Sequence, residues 1–164
     1  MKVIFSHGKE SGPWGSKIRK LAEIAQNLGH SVDSIDYSGI DNPDKRVDKL
    51  LKILANTDDK VVLVGSSMGG YVSIVAAQEY ACEGLFLLAP ALFMPNYAKQ
   101  SYTPKTQNLS IVHGLGDDVI PYQHSAKYAQ QSKCELHLIE GDHRLNSSLD
   151  EVSEIFTAFL TQFE

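Results

Sequence analysis

Residues 60–71 read Lys60-Val-Val-Leu-Val-Gly-Ser-Ser-Met-Gly-Gly-Tyr71, an apolar run that passes into the pattern Gly-x-Ser-x-Gly. The apolar run predicts a β-strand, and the residues after the pattern predict a buried helix. A nucleophilic serine at the apex of such a turn needs small residues two positions away on either side, because the bend is sharp and strained. Ser67 has glycine at both positions, whereas Ser66 has valine and methionine. The pattern therefore indicates that Ser67 is a nucleophile.

The surroundings of the pattern bear on two plainer interpretations. Glycine-rich turns of this kind also bind phosphate or serve as tight connections without a function of their own. Here four apolar residues, Val61 to Val64, precede the turn, and a mostly apolar stretch follows it from Val72 to Ala77. The turn also lacks the lysine of a phosphate-binding loop. These features favour a strand, a turn with a catalytic serine and a helix, and they leave the plainer interpretations open.

Length and composition predict a single soluble domain over residues 1–164. The chain has 43% hydrophobic and 21% charged residues, and its 164 residues suffice to bury one core. The net charge of −5 is spread along the chain without a basic cluster, so we expect neither nucleic acid nor a membrane as a partner. No apolar run approaches the ~20 residues of a membrane span.

The cysteines and the N-terminus bear on the compartment. Cys82 and Cys134 are far apart in the sequence, and they lack the spacing of a metal site or a redox motif. The histidines and carboxylates show no ligand spacing either, so we expect no metal ion and no other cofactor. The first residues contain too few apolar positions for the core of a signal peptide. These observations predict a cytoplasmic protein with reduced thiols.

Predicted strands and helices alternate along the chain. The strands are expected at Lys2 to Ser6, Val32 to Asp36, Val61 to Val64, Gly84 to Ala89, Leu109 to His113 and Cys134 to Glu140. Helices are expected after an N-cap at Ser16, from Pro43, after Ser67, from Pro121, and after a capping box formed by Ser148 and Glu151. Because each crossover is right-handed and returns to the same edge, the alternation predicts a parallel sheet between two helical layers, a three-layer αβα sandwich.

Reactive side chains follow three of these strands. Ser67 comes after the third strand, the pair Asp117 and Asp118 after the fifth, and His143 after the sixth. The carboxyl ends of parallel strands meet at one edge, where proteins of this class bind their ligands. A serine hydroxyl needs an imidazole to accept its proton, and the imidazole needs a carboxylate to hold its tautomer. The chain order Ser, Asp, His therefore predicts a catalytic triad.

Other residues compete for the roles of base and acid. His7 and His113 each precede a glycine at a strand end, where we expect them to orient a loop through backbone hydrogen bonds. His143 lies in a polar, glycine-containing loop after the last strand, which suits the delivery of a side chain to the sheet edge. Asp142 is expected to shape its own turn. The residues alone leave the acid open between the two adjacent aspartates.

Four segments, taken in this order, resemble the α/β-hydrolase superfamily, and within it the small bacterial single-domain esterases that lack a large cap. They are His7-Gly8, Gly65-Ser-Ser-Met-Gly-Gly70, His113-Gly-x-x-Asp117-x-x-Ile120-Pro121 and Gly141-Asp142-His143-Arg144. The resemblance covers nearly the whole chain. It implies a minimal α/β-hydrolase fold, with six parallel strands in the order 2-1-3-4-5-6 and without the usual first two antiparallel strands.

The resemblance also implies roles for individual residues. Ser67 is similar to the family's nucleophile, Asp117 to its acid and His143 to its base, and the backbone N–H groups of Met68 and Lys9 correspond to its oxyanion hole. The implied function is a serine hydrolase that cleaves small carboxylic esters or thioesters through an acyl-enzyme. A small-peptide or amide hydrolase and a catalytically silent binding protein are the alternatives.

The segment from Pro90 to Gln107 stands where members of the superfamily often carry a cap, and it is short and irregular. Its large side chains, with one tryptophan from the loop after the first strand, predict either a shallow cleft over the serine or plain packing onto the sheet. These residues are Trp14, Phe93, Met94, Tyr97 and Tyr102. Because so few residues are available to wall a channel, we expect a preference for short acyl chains.

Overall fold

A six-stranded parallel sheet forms the centre of the fold in a computed structural model, which describes residues 1–164. The strands are β1 (Lys2–Ser6), β2 (Ser31–Ile35), β3 (Val61–Ser66), β4 (Gly84–Leu88), β5 (Leu109–Gly114) and β6 (Glu135–Ile139). Their order is β2-β1-β3-β4-β5-β6, and every neighbouring pair is parallel. The predicted sheet and its strand order are confirmed.

Five helices cover the two faces of this sheet. They are α1 (Ser16–Asn27), α2 (Pro43–Ala55), α3 (Met68–Ala76), α4 (Tyr122–Ser132) and α5 (Leu149–Thr161), the last preceded by a 3-10 turn at Asn146–Ser148. Helices α1 and α5 pack on one face over a core of 17 buried residues that includes Leu21 and Phe156. Helices α2, α3 and α4 pack on the other face over 25 buried residues, among them Leu50, Ile74 and Tyr128. The predicted three-layer αβα sandwich is confirmed.

The strand that leads to Ser67 is buried on both faces. Successive side chains of a strand point to opposite sides of the sheet, so Val61 and Leu63 enter the core beneath α2 and α3, while Val62 and Val64 enter the opposite core. Burying each such side chain contributes roughly 1.5–3 kcal/mol. The two cores together hold the end of β3 at the centre of the molecule. None of the helices is both long and apolar enough to cross a membrane.

Three helix starts differ from the sequence-based prediction. Helix α4 begins at Tyr122, and Pro121, the predicted first residue, is its N-cap. Helix α1 begins at Ser16 with Gly15 as its N-cap, so Ser16 is the first helical residue and not the cap. The predicted capping box of α5 does not form, because the hydroxyl of Ser148 donates instead to the carbonyl oxygen of Glu140. That hydrogen bond joins the end of β6 to the start of α5, and it closes the loop that contains His143.

The irregular segment between β4 and β5 is tied to α2 and α3. Asp44, at the start of α2, accepts hydrogen bonds from the Tyr71 hydroxyl at 2.7 Å and from the backbone N–H of Ala98 at 3.4 Å. The N–H of Lys99 donates to the same tyrosine oxygen at 3.0 Å. Tyr71 is fully buried within α3. These bonds fix the position of the segment beside the carboxyl ends of the strands.

Candidate active site

Ser67 lies between β3 and α3 in a strained backbone conformation. Its φ of 55° and ψ of −120° fall in a region that residues with a side chain rarely adopt, at a cost of about 1–3 kcal/mol. Glycine permits the bend on both sides: a Cβ on Gly65 would overlap the carbonyl oxygen of Gly69, and a Cβ on Gly69 would overlap that of Ser6. The turn thus requires glycine two positions before and after its central serine, a requirement that Ser67 meets and Ser66 does not.

The side chains of Ser67, His143 and Asp117 form one series of hydrogen bonds. His143 Nε2 lies 3.0 Å from Ser67 Oγ, and His143 Nδ1 lies 2.8 Å from Asp117 Oδ2. Because an ionised carboxylate can only accept, Nδ1 carries the proton and Nε2 is free to accept from the serine hydroxyl. The structure therefore brings together the three residues that the chain order Ser, Asp, His predicts.

The side chain of Asp117 is buried and accepts hydrogen bonds at both carboxylate oxygens. Oδ1 accepts from the backbone N–H groups of Val119 at 2.9 Å and Ile120 at 2.8 Å. Oδ2 faces His143 and also lies 3.1 Å from His113 Nε2. Burial acts to raise the pKa of Asp117, but the hydrogen bonds from His143, Ile120 and Val119 outweigh it and hold this pKa below its ordinary value. The carboxylate therefore stays ionised where it can stabilise a charged imidazole.

The structure separates the candidate acids. Asp118 is exposed at the rim of the cavity, whereas the Asp117 side chain is turned inward against His143. Asp142 accepts a hydrogen bond from the N–H of Leu145 at 3.0 Å, so it shapes its own turn as predicted. Of the three carboxylates, Asp117 is the one in contact with the imidazole.

The two histidines that end strands are buried and orient loops. His7 Nδ1 donates to the carbonyl oxygen of Gly8 at 2.7 Å, while its Nε2 accepts from the N–H of Tyr37 at 2.9 Å. His113 Nδ1 lies 2.7 Å from the Ser125 hydroxyl, and its Nε2 lies 2.9 Å from the carbonyl oxygen of Ile120. Sequence reasoning missed the additional contact of His113 with the acid. The spacing His-Gly-x-x-Asp was the available signal, since it brings both side chains into one turn.

Two backbone N–H groups beside Ser67 have no acceptor within the protein. These are the N–H of Lys9, in the loop after β1, and the N–H of Met68, the first residue of α3. Both residues line the cavity that contains Ser67. The loop also passes close to the serine, because a Cβ on Gly8 would lie 3.3 Å from Ser67 Cβ. Free backbone N–H groups near a catalytic serine are the kind of donor that binds an oxyanion in acyl-transfer enzymes.

The cavity over Ser67 has a volume of about 740 Å³, and the predictions for its walls are right in part. Met94 and Tyr97 line it, whereas Trp14, Phe93 and Tyr102 do not. Phe93 packs edge-on against Tyr102, whose buried hydroxyl accepts from the N–H of Phe93 at 2.9 Å. Trp14 is 40% exposed outside the cavity. For Phe93 and Tyr102 the alternative of plain packing is correct, because the irregular segment packs these rings against each other. For Trp14 both interpretations are wrong, since it neither lines the cavity nor is buried.

One cavity residue, Lys17, was not anticipated from the sequence. Its ammonium donates to the carbonyl oxygen of Arg144 at 3.2 Å, directly after His143 in the chain. Burial lowers the pKa of Lys17 to about 8, although the nearby carboxylates of Asp142 and Asp117 act to raise it. Lys17 therefore links the start of α1 to the histidine loop. A lysine at the start of a surface helix gives no sequence signal for such a contact.

The fold and the arrangement around Ser67 define the class as an α/β hydrolase. A Xanthomonas campestris protein whose description assigns it to the alpha/beta superfamily superposes with a TM-score of 0.88 at 29% identity, covering 98% of each chain. A second protein from that organism, described as an a/b serine hydrolase without lid, superposes with a TM-score of 0.80 at 18% identity, covering 98% of this chain and 82% of its own.

Within this class the chain belongs to the family described as Uncharacterised protein family (UPF0227), which residues 2–102 match over more than half of the chain. The mouse protein named palmitoyl-protein thioesterase ABHD10, mitochondrial, is 26% identical over an alignment that covers 90% of this chain and 70% of the mouse protein. The bovine protein of the same name is 33% identical, and the match covers 28% of its length.

Proposed function

We propose that this α/β hydrolase cleaves small carboxylic esters and thioesters through an acyl-enzyme on Ser67. The observation that carries the proposal is the series of hydrogen bonds from Ser67 Oγ through His143 to Asp117, at 3.0 Å and 2.8 Å. Both distances lie within the ~2.6–3.2 Å that general base catalysis requires. The series begins on a strained turn that faces an open cavity, where a substrate carbonyl can approach the hydroxyl.

In the acylation step, Ser67 Oγ attacks the carbonyl carbon of the substrate while His143 Nε2 accepts the hydroxyl proton. Asp117 accepts from His143 Nδ1 and stabilises the imidazolium that forms. The tetrahedral intermediate then collapses, the bond to the leaving oxygen or sulfur breaks, and His143 returns its proton to that atom. An alcohol or thiol leaves, and the acyl group stays on Ser67.

In the deacylation step, a water molecule takes the place of the departed alcohol or thiol. His143 Nε2 removes a proton from this water, and the resulting hydroxide attacks the acyl carbon. The bond to Ser67 Oγ breaks, the serine recovers its proton from His143, and a carboxylic acid is released. The same three side chains thus serve both halves of the reaction.

Both tetrahedral intermediates place a negative charge on the former carbonyl oxygen. The free N–H groups of Lys9 and Met68 are the donors proposed to bind this oxygen. The loss of one such donor typically costs about 10²–10³ in kcat. Because both donors belong to the backbone, their direction depends on how the loop after β1 and the start of α3 are held.

The walls of the cavity favour a short acyl group. Met94 and Tyr97 supply an apolar side, whereas Lys17, Asp142 and Asn146 supply a polar one. A long acyl chain gains about 0.8 kcal/mol per methylene only where apolar walls enclose it. The name of the mouse relative supports the thioester part of the proposal, whereas its palmitoyl part names a long acyl group, opposite to the chain length expected here. We expect catalytic efficiency on p-nitrophenyl esters to peak at short chains; an optimum at fatty-acid length in a detergent-controlled assay would contradict this.

Covalent labelling tests the nucleophile directly. A fluorophosphonate probe should add once to the wild-type protein, at Ser67 by peptide mass analysis, and Ser67→Ala should remove both the adduct and ester turnover. The matched control is Ser66→Ala, which should keep labelling and most of the activity. Turnover that survives Ser67→Ala would place the chemistry elsewhere, and a wild-type protein that neither labels nor turns over would be a binding protein.

The same acyl group in three linkages tests the bond that is cleaved. Acetate presented as a p-nitrophenyl ester and as an aryl thioester should be hydrolysed much faster than as the p-nitroanilide, because an amine is a poor leaving group without a dedicated proton donor. Faster hydrolysis of the anilide would instead support an amide hydrolase.

A further inference from the structure

Arg46 is a buried cation that forms no ion pair with a carboxylate. Its side chain on α2 is 1% exposed, and none of the ion pairs in the structure includes it. Burying a charge without such a partner costs several kcal/mol unless other polar groups compensate. Here the compensation comes from carbonyl oxygens and from the ring of Tyr37, whose centroid lies 5.3 Å from Arg46 Cζ.

The carbonyl acceptors of Arg46 lie in the loop that passes beside Ser67. Its Nη1 donates to the carbonyl oxygens of His7 and Gly8, each at 3.2 Å. Its Nε donates to the carbonyl oxygen of Ile40 at 2.6 Å, which holds the guanidinium in place. The charged fork of an arginine can serve several acceptors at once in this way.

The Gly8 carbonyl belongs to the same peptide unit as the N–H of Lys9. This carbonyl oxygen accepts two hydrogen bonds, one from Arg46 Nη1 at 3.2 Å and one from His7 Nδ1 at 2.7 Å. Because a peptide unit is planar, holding its oxygen also holds the direction of its N–H. Donation to the oxygen further polarises the unit, so that its N–H becomes a stronger donor.

His7 can donate to the Gly8 carbonyl oxygen only in the tautomer that carries the proton on Nδ1, and its surroundings select that tautomer. Its Nε2 accepts from the N–H of Tyr37 at 2.9 Å, so the proton resides on Nδ1 and points at the Gly8 oxygen. Burial is the largest cause of a lowered His7 pKa, and it outweighs the hydrogen bond to the Gly8 carbonyl, which acts to raise this pKa. The charges of Arg46 and Lys49 also lower the pKa, and the charge of Asp36 raises it. His7 is therefore a neutral donor.

We propose that Arg46 and His7 are positioning residues of the oxyanion hole: together they orient and polarise the Gly8–Lys9 peptide so that the Lys9 N–H binds the developing negative charge. This inference rests on the proposed hydrolase function. The buried charge of Arg46 adds to the effect, since it favours negative charge on an oxygen at the nearby serine through a low-dielectric interior. Neither side chain lines the cavity, so neither contacts the substrate.

The test is a comparison of Arg46→Gln with a matched arginine on the surface. Arg19 also donates from Nε to a backbone carbonyl, that of Trp14 at 2.6 Å, but it is exposed on α1. On p-nitrophenyl acetate, Arg46→Gln should lower kcat about 10–100-fold with KM changed less than about threefold, since a misdirected donor loses part of what a deleted one loses. Arg19→Gln should leave both constants unchanged.

A transition-state analogue separates this role from a merely structural one. A boronic acid forms a tetrahedral anionic adduct with Ser67 Oγ, and the serine proton passes to His143. Its affinity should fall by the same factor as kcat in Arg46→Gln, and Arg46→Lys, which keeps the charge, should recover part of both. If Arg46→Gln lowers the melting temperature while kcat and boronate affinity at 20 °C stay within twofold, the proposal is wrong.

A second variant keeps the proposal testable if Arg46→Gln does not fold. His7→Asn replaces the imidazole with a shorter side chain that no longer reaches the Gly8 oxygen. It should show the same parallel loss of kcat and boronate affinity, about tenfold. Unchanged values of both would again contradict the proposal. Failure of the hydrolase function itself is distinguishable, because the wild-type protein would then show neither turnover nor fluorophosphonate labelling at Ser67.

Discussion

The dipeptide His-Gly occurs at the carboxyl ends of two strands, as His7-Gly8 directly after β1 and as His113-Gly114 at the end of β5. The two histidines have different hydrogen-bond partners. His7 and His113 are each almost fully buried, and burial is the largest cause of a lowered pKa in both. His7 carries its proton on Nδ1 and donates to the oxygen of the peptide that precedes Lys9 N–H. His113 Nε2 faces a carboxylate and a carbonyl oxygen, which can only accept, so His113 carries its proton on Nε2 and not on Nδ1.

The comparison shows that the tautomer of a buried histidine follows from the groups around it and not from its sequence context. Tyr37 offers an N–H to His7 Nε2, whereas Ser125 offers a hydroxyl to His113 Nδ1. A neutral imidazole has one donor and one acceptor nitrogen, so each neighbour fixes which side donates. The consequence is a division of roles: the end of β1 supports the proposed oxyanion hole, and the end of β5 supports the acid.

The largest effect is expected at the acid that the β5 end supports. Asp117→Asn should lower kcat on p-nitrophenyl acetate by about 10⁴, because the amide cannot fix the imidazole tautomer or stabilise its charged form. The matched control is Asp118→Asn, one residue along the loop and exposed, which should keep at least a third of the activity. If Asp118→Asn loses more activity than Asp117→Asn, the assignment of Asp117 as the acid is wrong.

A smaller effect with a distinct signature is expected for His113→Asn. The side chain donates to Asp117 Oδ2 across 3.1 Å. Without this donor the carboxylate charge is less neutralised and attracts the protonated imidazole of the base more strongly. The base must be neutral to accept the serine proton, so turnover is expected to rise with pH. In His113→Asn the midpoint of this rise should move to higher pH, together with a loss in kcat of about tenfold.

The same pH–rate measurement distinguishes the two strand ends. His7→Asn should lower kcat and leave the midpoint in place, because His7 contacts a backbone carbonyl and no part of the acid. His137→Asn, on the edge strand β6, serves as the control for both and should change neither quantity. If His7→Asn and His113→Asn shift the midpoint equally, the division of roles between the strand ends is wrong.

The smallest effect concerns stability and acts in the same direction for both histidines. Their folded pKa values lie below the ordinary value of 6.5, so the unfolded chain binds more protons near and below that pH. The free energy of unfolding should thus fall as pH drops below about 6.5, and it should stop falling once the pH is below the folded pKa. For each histidine the total loss is about 1.4 kcal/mol per unit of difference between its unfolded and folded pKa.

Thermal unfolding between pH 7.5 and 5 measures this loss of stability. His113→Asn should show a shallower decrease in melting temperature than the wild-type protein, because one of the histidines with a lowered folded pKa is absent. The stability contributed by Asp117 is lost only at lower pH, since its folded pKa lies below the ordinary 3.8. An equal slope in wild type and variant would mean that His113 does not titrate on unfolding.

Several features of the site are readable from the sequence because they depend on neighbouring residues. The spacing of glycines around Ser67 follows from the steric limits of one turn, and the structure shows the overlaps that larger residues would cause. The apolar run of β3 follows from burial on both faces of a parallel sheet. The helix start at Pro43 is likewise local, because proline fits the first helical turn without losing a hydrogen bond.

Other features were missed or misjudged because they depend on partners far along the chain. Ser148 has the spacing of a helix cap, yet its hydroxyl donates to the carbonyl oxygen of Glu140, which the turn before α5 brings within reach. Phe93 and Tyr102 have the composition of a cleft wall, yet they pack against each other. Arginine is a residue type that is mostly exposed, but the guanidinium of Arg46 reaches the β1 loop, 38 residues away in the chain.

The sequence by itself determined the class of the fold, the serine at its centre and the order of the reactive residues along the chain, since periodicity and the sterics of one turn are local. The tertiary structure alone decided which aspartate meets His143, which nitrogen of each buried histidine carries the proton, and which side chains line the cavity. These depend on contacts such as that between Ser67 and His143, 76 residues apart, which form only when the strand ends meet at one edge of the sheet.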